Sequence, residues 1–261
     1  MKARLRGVVP DTSAEPLPES VAGALPAFYA LARGGWRDYV TLLHPPYTLW
    51  HLSYVVLGAA LCPTLREDRL AATLLAFFLA VGVSAHALDE LNGRPLRTRI
   101  PSDILIALSI GGLAGATAIG IAGATFASPW LLAFVAFGAF IAPAYNLEWF
   151  RGRFHSDFWF AAAWGVFPFV TAYWASAEQF GLSAAFGASA IFAMSLAQRI
   201  LSRRVRAVRR NVRSIEGRIL YDDGTVEDID RRWALAADER ALMLLAAALP
   251  TLAIAVLLAR A

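Results

Sequence analysis

Seven apolar stretches, separated by short polar segments, dominate the sequence. Each is close in length to the roughly 20 mostly apolar residues that cross the hydrocarbon core of a bilayer as a helix. They cover residues 46–62, 70–88, 104–124, 129–147, 158–177, 182–198 and 239–259. The pattern therefore predicts an all-α integral membrane protein with about seven transmembrane helices.

The polar segments divide the chain into four parts. Residues 1–44 form a basic N-terminal segment, in which residues 18–34 have the pattern of an amphipathic helix on the membrane surface. Residues 45–203 form a bundle of six spans, residues 204–237 a basic extension with a hairpin, and residues 238–261 the seventh span. No signal peptide is expected at the N-terminus, because no apolar core of the required kind follows the first charges.

A small β-hairpin is predicted at residues 218–229, in the polar extension. Apolar and polar residues alternate there on both sides of Asp223-Gly224, a two-residue pair typical of tight hairpin turns. We expect the hairpin to be a lid or an interaction element on the cytoplasmic side.

Composition supports the membrane assignment. The chain is 58% hydrophobic with a mean hydropathy of +0.52, whereas soluble domains are about half apolar. The single cysteine, Cys62, excludes an internal disulfide and a cysteine-cluster metal site.

The distribution of arginines predicts the orientation of the chain. The net charge is +4, and the arginines concentrate in the N-terminal segment and in alternate loops, as cytoplasmic loops do. This places the N-terminus in the cytoplasm and the C-terminus outside the cell membrane. It also explains the basic charge without a nucleic-acid partner.

One group of polar residues ends the second span. His86, Asp89 and Glu90 share a face of a helix, because residues three and four apart lie together. Ionisable groups in a membrane segment usually face a cavity or a partner. The group predicts a site for a metal, or for a cation that holds a phosphate. The alternative is a helix end whose carboxylates pair with Arg94 or Arg97.

A second group joins the fourth and fifth spans. It consists of Asn146, Glu148, Arg151, Arg153, His155 and Asp157. Ser156 or Asp157 has an alternative role as the N-cap of the fifth span, and the arginines also satisfy the positive-inside bias.

Three further polar residues complete the cytoplasmic side. His51 lies inside the first span, where a lone histidine is more often a hydrogen-bonded core residue than a ligand. Arg199, beside Gln198, lies where the sixth span ends and is placed to meet a phosphate. With His44, all four histidines of the chain lie near the same face of the membrane.

Two loops and the first span resemble the UbiA-type membrane prenyltransferases. The first loop, AHALDELNGRPLRTRIPSDIL, is similar to their aspartate-rich motif after the second helix, and the second, YNLEWFRGRFHSDFWFAAAWG, to the motif after the fourth. The first span, HPPYTLWHLSYVVLGAAL, also resembles theirs. The resemblance covers roughly residues 40–200.

The resemblance implies a helical bundle around a lipid-accessible cavity, in which aspartates bind Mg²⁺ and Mg²⁺ holds a prenyl diphosphate. By position, Asp89 matches the middle aspartate of the first motif and Asp157 the aspartate of the second. Arg94, Asn146, Arg151 and Arg153 match positions near the phosphates.

Prenyl transfer to an acceptor at the cytoplasmic face, assisted by a divalent cation, is therefore the expected function. The partners would be membrane lipid and a prenyl diphosphate or other isoprenoid. The expected catalytic residues are Asp89, His86 and Glu90. The diphosphate would be held by Arg94, Asn146, Arg151, Arg153 and Arg199. The expected metal ligands are His86, Asp89, Glu90 and Asp157, with His51 and His155 as further candidates.

Two alternatives remain open at this point. Ala85 and His86 stand where the family has Asn-Asp, and Gly93 where it has a third aspartate. Histidine favours Zn²⁺, Fe or Mn over Mg²⁺, so one alternative is a metal-dependent lipid hydrolase or oxidase on the same scaffold. The other is a non-enzymatic lipid-binding or transport protein, although the sequence lacks the internal repeat that many transporters carry.

Overall fold

Seven main helices lie close to the predicted apolar stretches. The computed structural model describes residues 25–260. A short helix, α1 (Trp36–Leu42), precedes the bundle. The bundle consists of α2 (Pro45–Leu61), α3 (Glu67–Leu91), α4 (Ser102–Phe126), α5 (Leu131–Asn146), α6 (Asp157–Ala177), α7 (Leu182–Asn211) and α8 (Arg231–Leu258).

Five of these helices, α3, α4, α6, α7 and α8, are long and apolar enough to cross a membrane. The other two, α2 and α5, have 17 and 16 residues. A mostly helical protein embedded in a membrane is thus confirmed, whereas the number of seven spans is not.

The N-terminal helix predicted at residues 18–34 is not found where the structure can test it. Residues 18–24 lie outside the described part, and residues 25–34 form bends and a turn. The chain becomes helical only at α1. Buried Asp38 fixes α1, because its carboxylate accepts hydrogen bonds from the backbone N–H groups of Gly34 (3.0 Å) and Arg99 (2.8 Å).

The predicted hairpin is confirmed, with a longer connection than expected. Strands β1 (Gly217–Leu220) and β2 (Val226–Ile229) are antiparallel, with Gly217 opposite Ile229. Five residues, 221–225, join them instead of two. Gly224 adopts a φ of 85°, a conformation that glycine accepts without strain, so the turn signal was placed correctly although the loop is wider.

Helix α2 is at the centre of the bundle. Trp50 and Tyr54 are fully buried on it, and the Trp50 indole donates to the Tyr54 hydroxyl over 2.5 Å. Ser195 of α7 donates to the same hydroxyl over 3.0 Å. Gly58 lets α6 approach closely, because a Cβ at this position would lie 2.2 Å from the carbonyl oxygen of Phe169.

Two spans contain π-helical turns. Residues Phe78–Ala85 of α3 and Ala161–Val166 of α6 are wound this way. Such turns are rare and occur often at functional sites, because they displace side chains and backbone carbonyls from the regular helical positions. Both segments contribute residues to the polar cavity described below.

The close approach at Gly58 can be tested against a second helical glycine. We expect Gly58→Ala to lower the free energy of unfolding by about 1–3 kcal/mol, since the helices must move apart. Gly111→Ala has nothing within 4 Å of its new Cβ and should be neutral or slightly stabilising, as alanine favours helix. Thermal unfolding in detergent measures both. Equal melting temperatures would contradict the packing described here.

Candidate functional site

A polar cavity of about 310 Å³ lies at one end of the bundle, where α3 and α5 end and α2 and α6 begin. Its volume is within the range of ligand pockets, roughly 300–1,000 Å³. The second half of α7 forms one wall and carries most of the charge, while Val81, Phe160 and Trp164 form an apolar part.

All four histidines of the chain line this cavity. The sequence predicts them near one face of the membrane, and the structure brings them to a single site. Three of them are oriented by a contact between Nδ1 and a backbone carbonyl: His51 with Trp164 (2.7 Å), His86 with Gly82 (3.2 Å) and His155 with Tyr145 (3.1 Å). A neutral imidazole that donates through Nδ1 keeps a lone pair on Nε2.

Pro168 explains why the carbonyl of Trp164 accepts from His51. In an α-helix this carbonyl would accept from the N–H of residue 168, four positions later, but proline has no N–H. The freed carbonyl lies in the π-helical segment of α6 and takes the His51 proton instead. His51, which is 5% exposed, is therefore a satisfied core histidine with one nitrogen left for the cavity.

His44 and His86 stack on each other across the cavity wall. Their ring centroids are 4.1 Å apart at an angle of 12°. The Tyr29 hydroxyl lies 2.7 Å from Nδ1 of His44. Burial, together with the neighbouring His86, holds the pKa of His44 well below its usual value, so this imidazole is neutral at pH 7.

One face of α7 points three arginines into the cavity. Arg199, Ser202, Arg206 and Arg210 follow each other at intervals of three and four residues, which is the spacing of a single helix face. Arg199 is paired with Asp157 over 3.2 Å and lies 5.2 Å from the centre of the Phe160 ring.

Arg206 and Arg210 differ from Arg199, because neither has an ion pair with another residue of the described chain. Within residues 25–260, neither guanidinium donates a hydrogen bond, and Nε of Arg210 is buried without a partner. The sequence-based predictions of site residues do not include Arg206 or Arg210. Arg206 lies four residues after Ser202 and Arg210 a further four, and this helical spacing was the available signal.

Unpartnered polar atoms concentrate in this cavity. The described part of the chain has eight buried side-chain polar atoms without a hydrogen-bond partner, and four of them belong to cavity residues. These are His44 Nε2, Tyr145 Oη, Gln198 Oε1 and Arg210 Nε. Buried polar groups are normally hydrogen-bonded, so these atoms are available to bind a polar ligand.

Asp89 is the one carboxylate among the residues that line the cavity in the described part of the chain. It shares the wall with three arginines, so the charged lining is positive by two when the histidines are neutral. Such an arrangement attracts anions.

Six of the residues expected at the site do line the cavity: His51, His86, Asp89, Asn146, His155 and Arg199. Five others do not: Glu90, Arg94, Arg151, Arg153 and Asp157.

Glu90 faces away from the cavity and holds a loop. It is fully buried, and its carboxylate accepts from the backbone N–H of Leu96 (2.9 Å) and from the N–H and hydroxyl of Thr98 (both 2.8 Å). Consecutive helical residues point about 100° apart, so Glu90 cannot share the direction of Asp89. The expected grouping of the two as neighbouring ligands is therefore wrong.

Arg94 also belongs to this loop. Its guanidinium donates to the carbonyl of Ile100 (2.6 Å) and to the hydroxyl of Ser102 (2.8 Å). Arg151 and Arg153 are exposed on the connection between α5 and α6. Asp157 accepts from Arg199 and, over 2.9 Å, from Arg203, while Ser156 caps α6 by accepting from the N–H of Trp159.

The expected metal ligands are not brought together. Among residues 25–260, no three histidine, cysteine, aspartate or glutamate side chains are grouped so that they could hold a metal ion. Mg²⁺ requires oxygen ligands, and the cavity wall provides one carboxylate. The lining therefore does not fit the Mg²⁺ that the family resemblance implies.

Comparison with known proteins does not identify a family for this chain. No protein-family model matches the chain, and no curated protein or solved structure matches it. The resemblance to UbiA-type prenyltransferases stays a prediction from the two loops and the first span.

Neutralising Glu90 and neutralising Asp89, which are neighbours on α3, should have different effects on the stability of the protein. We expect Glu90→Gln to destabilise the protein by about 2–3 kcal/mol, because an amide N–H₂ would face donors that now bond a carboxylate. Asp89→Asn should leave thermal stability unchanged or raise it, since Asp89 accepts no hydrogen bond through its side chain within residues 25–260. Unfolding of both variants in detergent measures the difference. A stable Glu90→Gln variant would contradict the loop-holding role.

Proposed function

We propose that this protein binds a prenyl diphosphate at the cytoplasmic face of the membrane and transfers the prenyl group to an acceptor. The observation that supports the proposal best is the face of α7 that points Arg206 and Arg210 into a polar cavity, where neither has an ion pair with any residue that the structure describes. Guanidinium groups bind phosphate through paired, charge-assisted hydrogen bonds.

The walls of the cavity suit a ligand with one charged and one apolar end. Arg206 and Arg210 lie on the second half of α7, and Val81, Phe160 and Trp164 lie deeper in the bundle. We place the diphosphate at the arginines and the first isoprene unit against the apolar residues. A soluble phosphorylated metabolite would leave the apolar wall without a role.

The reaction needs a stabilised leaving group and a proton acceptor. The bond between the allylic carbon and the diphosphate oxygen breaks, and the diphosphate leaves with the electron pair. Fixed positive charges that meet the developing negative charge lower the barrier of such a step. The acceptor forms a bond to the allylic carbon and loses a proton, which in this proposal passes to Asp89.

The orientation of the chain follows the charge bias in the loops. With the N-terminus in the cytoplasm and the C-terminus outside, the arginine-rich half of α7 and the cavity face the cytoplasm. A lipid-binding or transport function without turnover would use the same cavity and differ in releasing no pyrophosphate.

Prenyl diphosphate binding and turnover test this proposal. We expect the protein in lipid nanodiscs to bind radiolabelled prenyl diphosphate and to release pyrophosphate when acceptors are present. Arg206→Gln should weaken binding at least tenfold, because one charge-assisted contact contributes about 1.5–3 kcal/mol.

Arg153→Gln is the matched control, since Arg153 is exposed outside the cavity; this variant should bind like the unmodified protein. Binding without pyrophosphate release would favour the lipid-binding function. Unchanged binding in Arg206→Gln would contradict the proposed phosphate site.

A further inference from the structure

We infer that Arg206 and Arg210, and not a divalent cation, provide the positive charge that holds the diphosphate in this cavity. The inference rests on the proposed function and concerns the chemistry of the same site. It predicts a protein that binds its anionic ligand without metal.

Most carboxylates expected to bind a cation are engaged elsewhere. Glu90 uses both oxygens to hold the loop at Leu96 and Thr98. Asp157 uses both oxygens for Arg199 and Arg203. Of the carboxylates in residues 25–260, only Asp89 remains at the cavity wall, and a single carboxylate is a poor ligand set for a divalent cation that prefers several oxygen atoms.

The arginines occupy the place where the charge of a cation would be needed. Arg206 and Arg210 are one helical turn apart on the same face of α7, which separates their Cα atoms by about 6 Å along the helix. Each guanidinium presents five N–H donors in a planar fork, so the pair can contact both phosphates of a diphosphate. A divalent cation at Asp89 would share the cavity with these positive charges and be repelled by them.

Arg206 and Arg210 are half-buried, and Nε of Arg210 is fully buried without a partner in the described chain. Charged groups that are withdrawn from water without a partner are costly, because they lose solvation without a compensating hydrogen bond. Asp89 lines the same cavity as Arg206 and Arg210, but it forms no ion pair within 4 Å with either in the described part of the chain. A dianionic or trianionic ligand between the two arginines would supply the missing countercharge.

Removing the charge of Asp89 should therefore change diphosphate binding in opposite directions, depending on whether a cation or the arginines hold the diphosphate. If a cation holds the diphosphate, Asp89 is its main protein ligand in the cavity, and Asp89→Asn abolishes binding. If the arginines hold the diphosphate directly, Asp89 repels it, and Asp89→Asn strengthens binding.

Binding of inorganic pyrophosphate to the full chain in detergent tests the inference. Equilibrium dialysis with radiolabelled pyrophosphate should give dissociation constants that agree within about threefold between a buffer with EDTA and one with Mg²⁺. In EDTA, Arg206→Gln and Arg210→Gln should each weaken binding about tenfold or more.

Asp89→Asn should bind pyrophosphate in EDTA more tightly than the unmodified protein does. Arg206→Lys keeps the charge and should retain more affinity than Arg206→Gln, which separates loss of charge from loss of fold. Arg153→Gln should match the unmodified protein.

Two failures are distinguishable. Binding that disappears in EDTA and in Asp89→Asn would overturn the metal-free inference. It would leave the proposed function intact if Arg206→Gln still weakens the binding measured with Mg²⁺. An unmodified protein that binds neither pyrophosphate nor prenyl diphosphate in either buffer would overturn both.

Discussion

Arg206 and Arg210 lie in a cavity to which the described part of the chain contributes a single carboxylate, that of Asp89. Charge in a low-dielectric interior must be compensated by a partner or by a ligand, and this requirement links the features of the site. His44 is neutral, and the other three histidines contact backbone carbonyls. Asp157 is paired with Arg199 and Arg203. Four buried polar atoms of the wall have no partner within the described chain. The proposed ligand, an anion with an apolar tail, would satisfy these groups together.

The scaffold builds the cavity by interrupting regular helices. Pro168 removes a backbone donor from α6, and His51 bonds the carbonyl that is left free. Glu90 and Asp38, both buried, hold the loop after α3 through backbone N–H groups at Leu96, Thr98 and Arg99. Glu90 and Arg94, both expected at the functional site from the sequence, instead fix this loop. The loop follows the end of α3, which presents His86 and Asp89 to the cavity.

The sequence predicts the helical elements well because burial in a membrane requires long apolar segments, and it predicts the hairpin from its alternation and its Asp-Gly pair. It also places the four histidines on one side. The sequence does not predict which way a side chain points. Glu90 and Asp89 are adjacent in sequence but face different surroundings, because the loop after α3 folds over Glu90 and not over Asp89. Arg206 and Arg210 share a spacing with Ser202 that predicts a common face, but spacing alone does not reveal whether that face meets water or a cavity.

A crystal structure of the protein grown in EDTA with inorganic pyrophosphate tests the central claim most directly. The account predicts density for the anion between Arg206 and Arg210, with guanidinium nitrogens about 2.7–2.9 Å from its oxygens. Pyrophosphate bound outside the cavity, or bound only in crystals grown with Mg²⁺ and through an ion on Asp89, would contradict it.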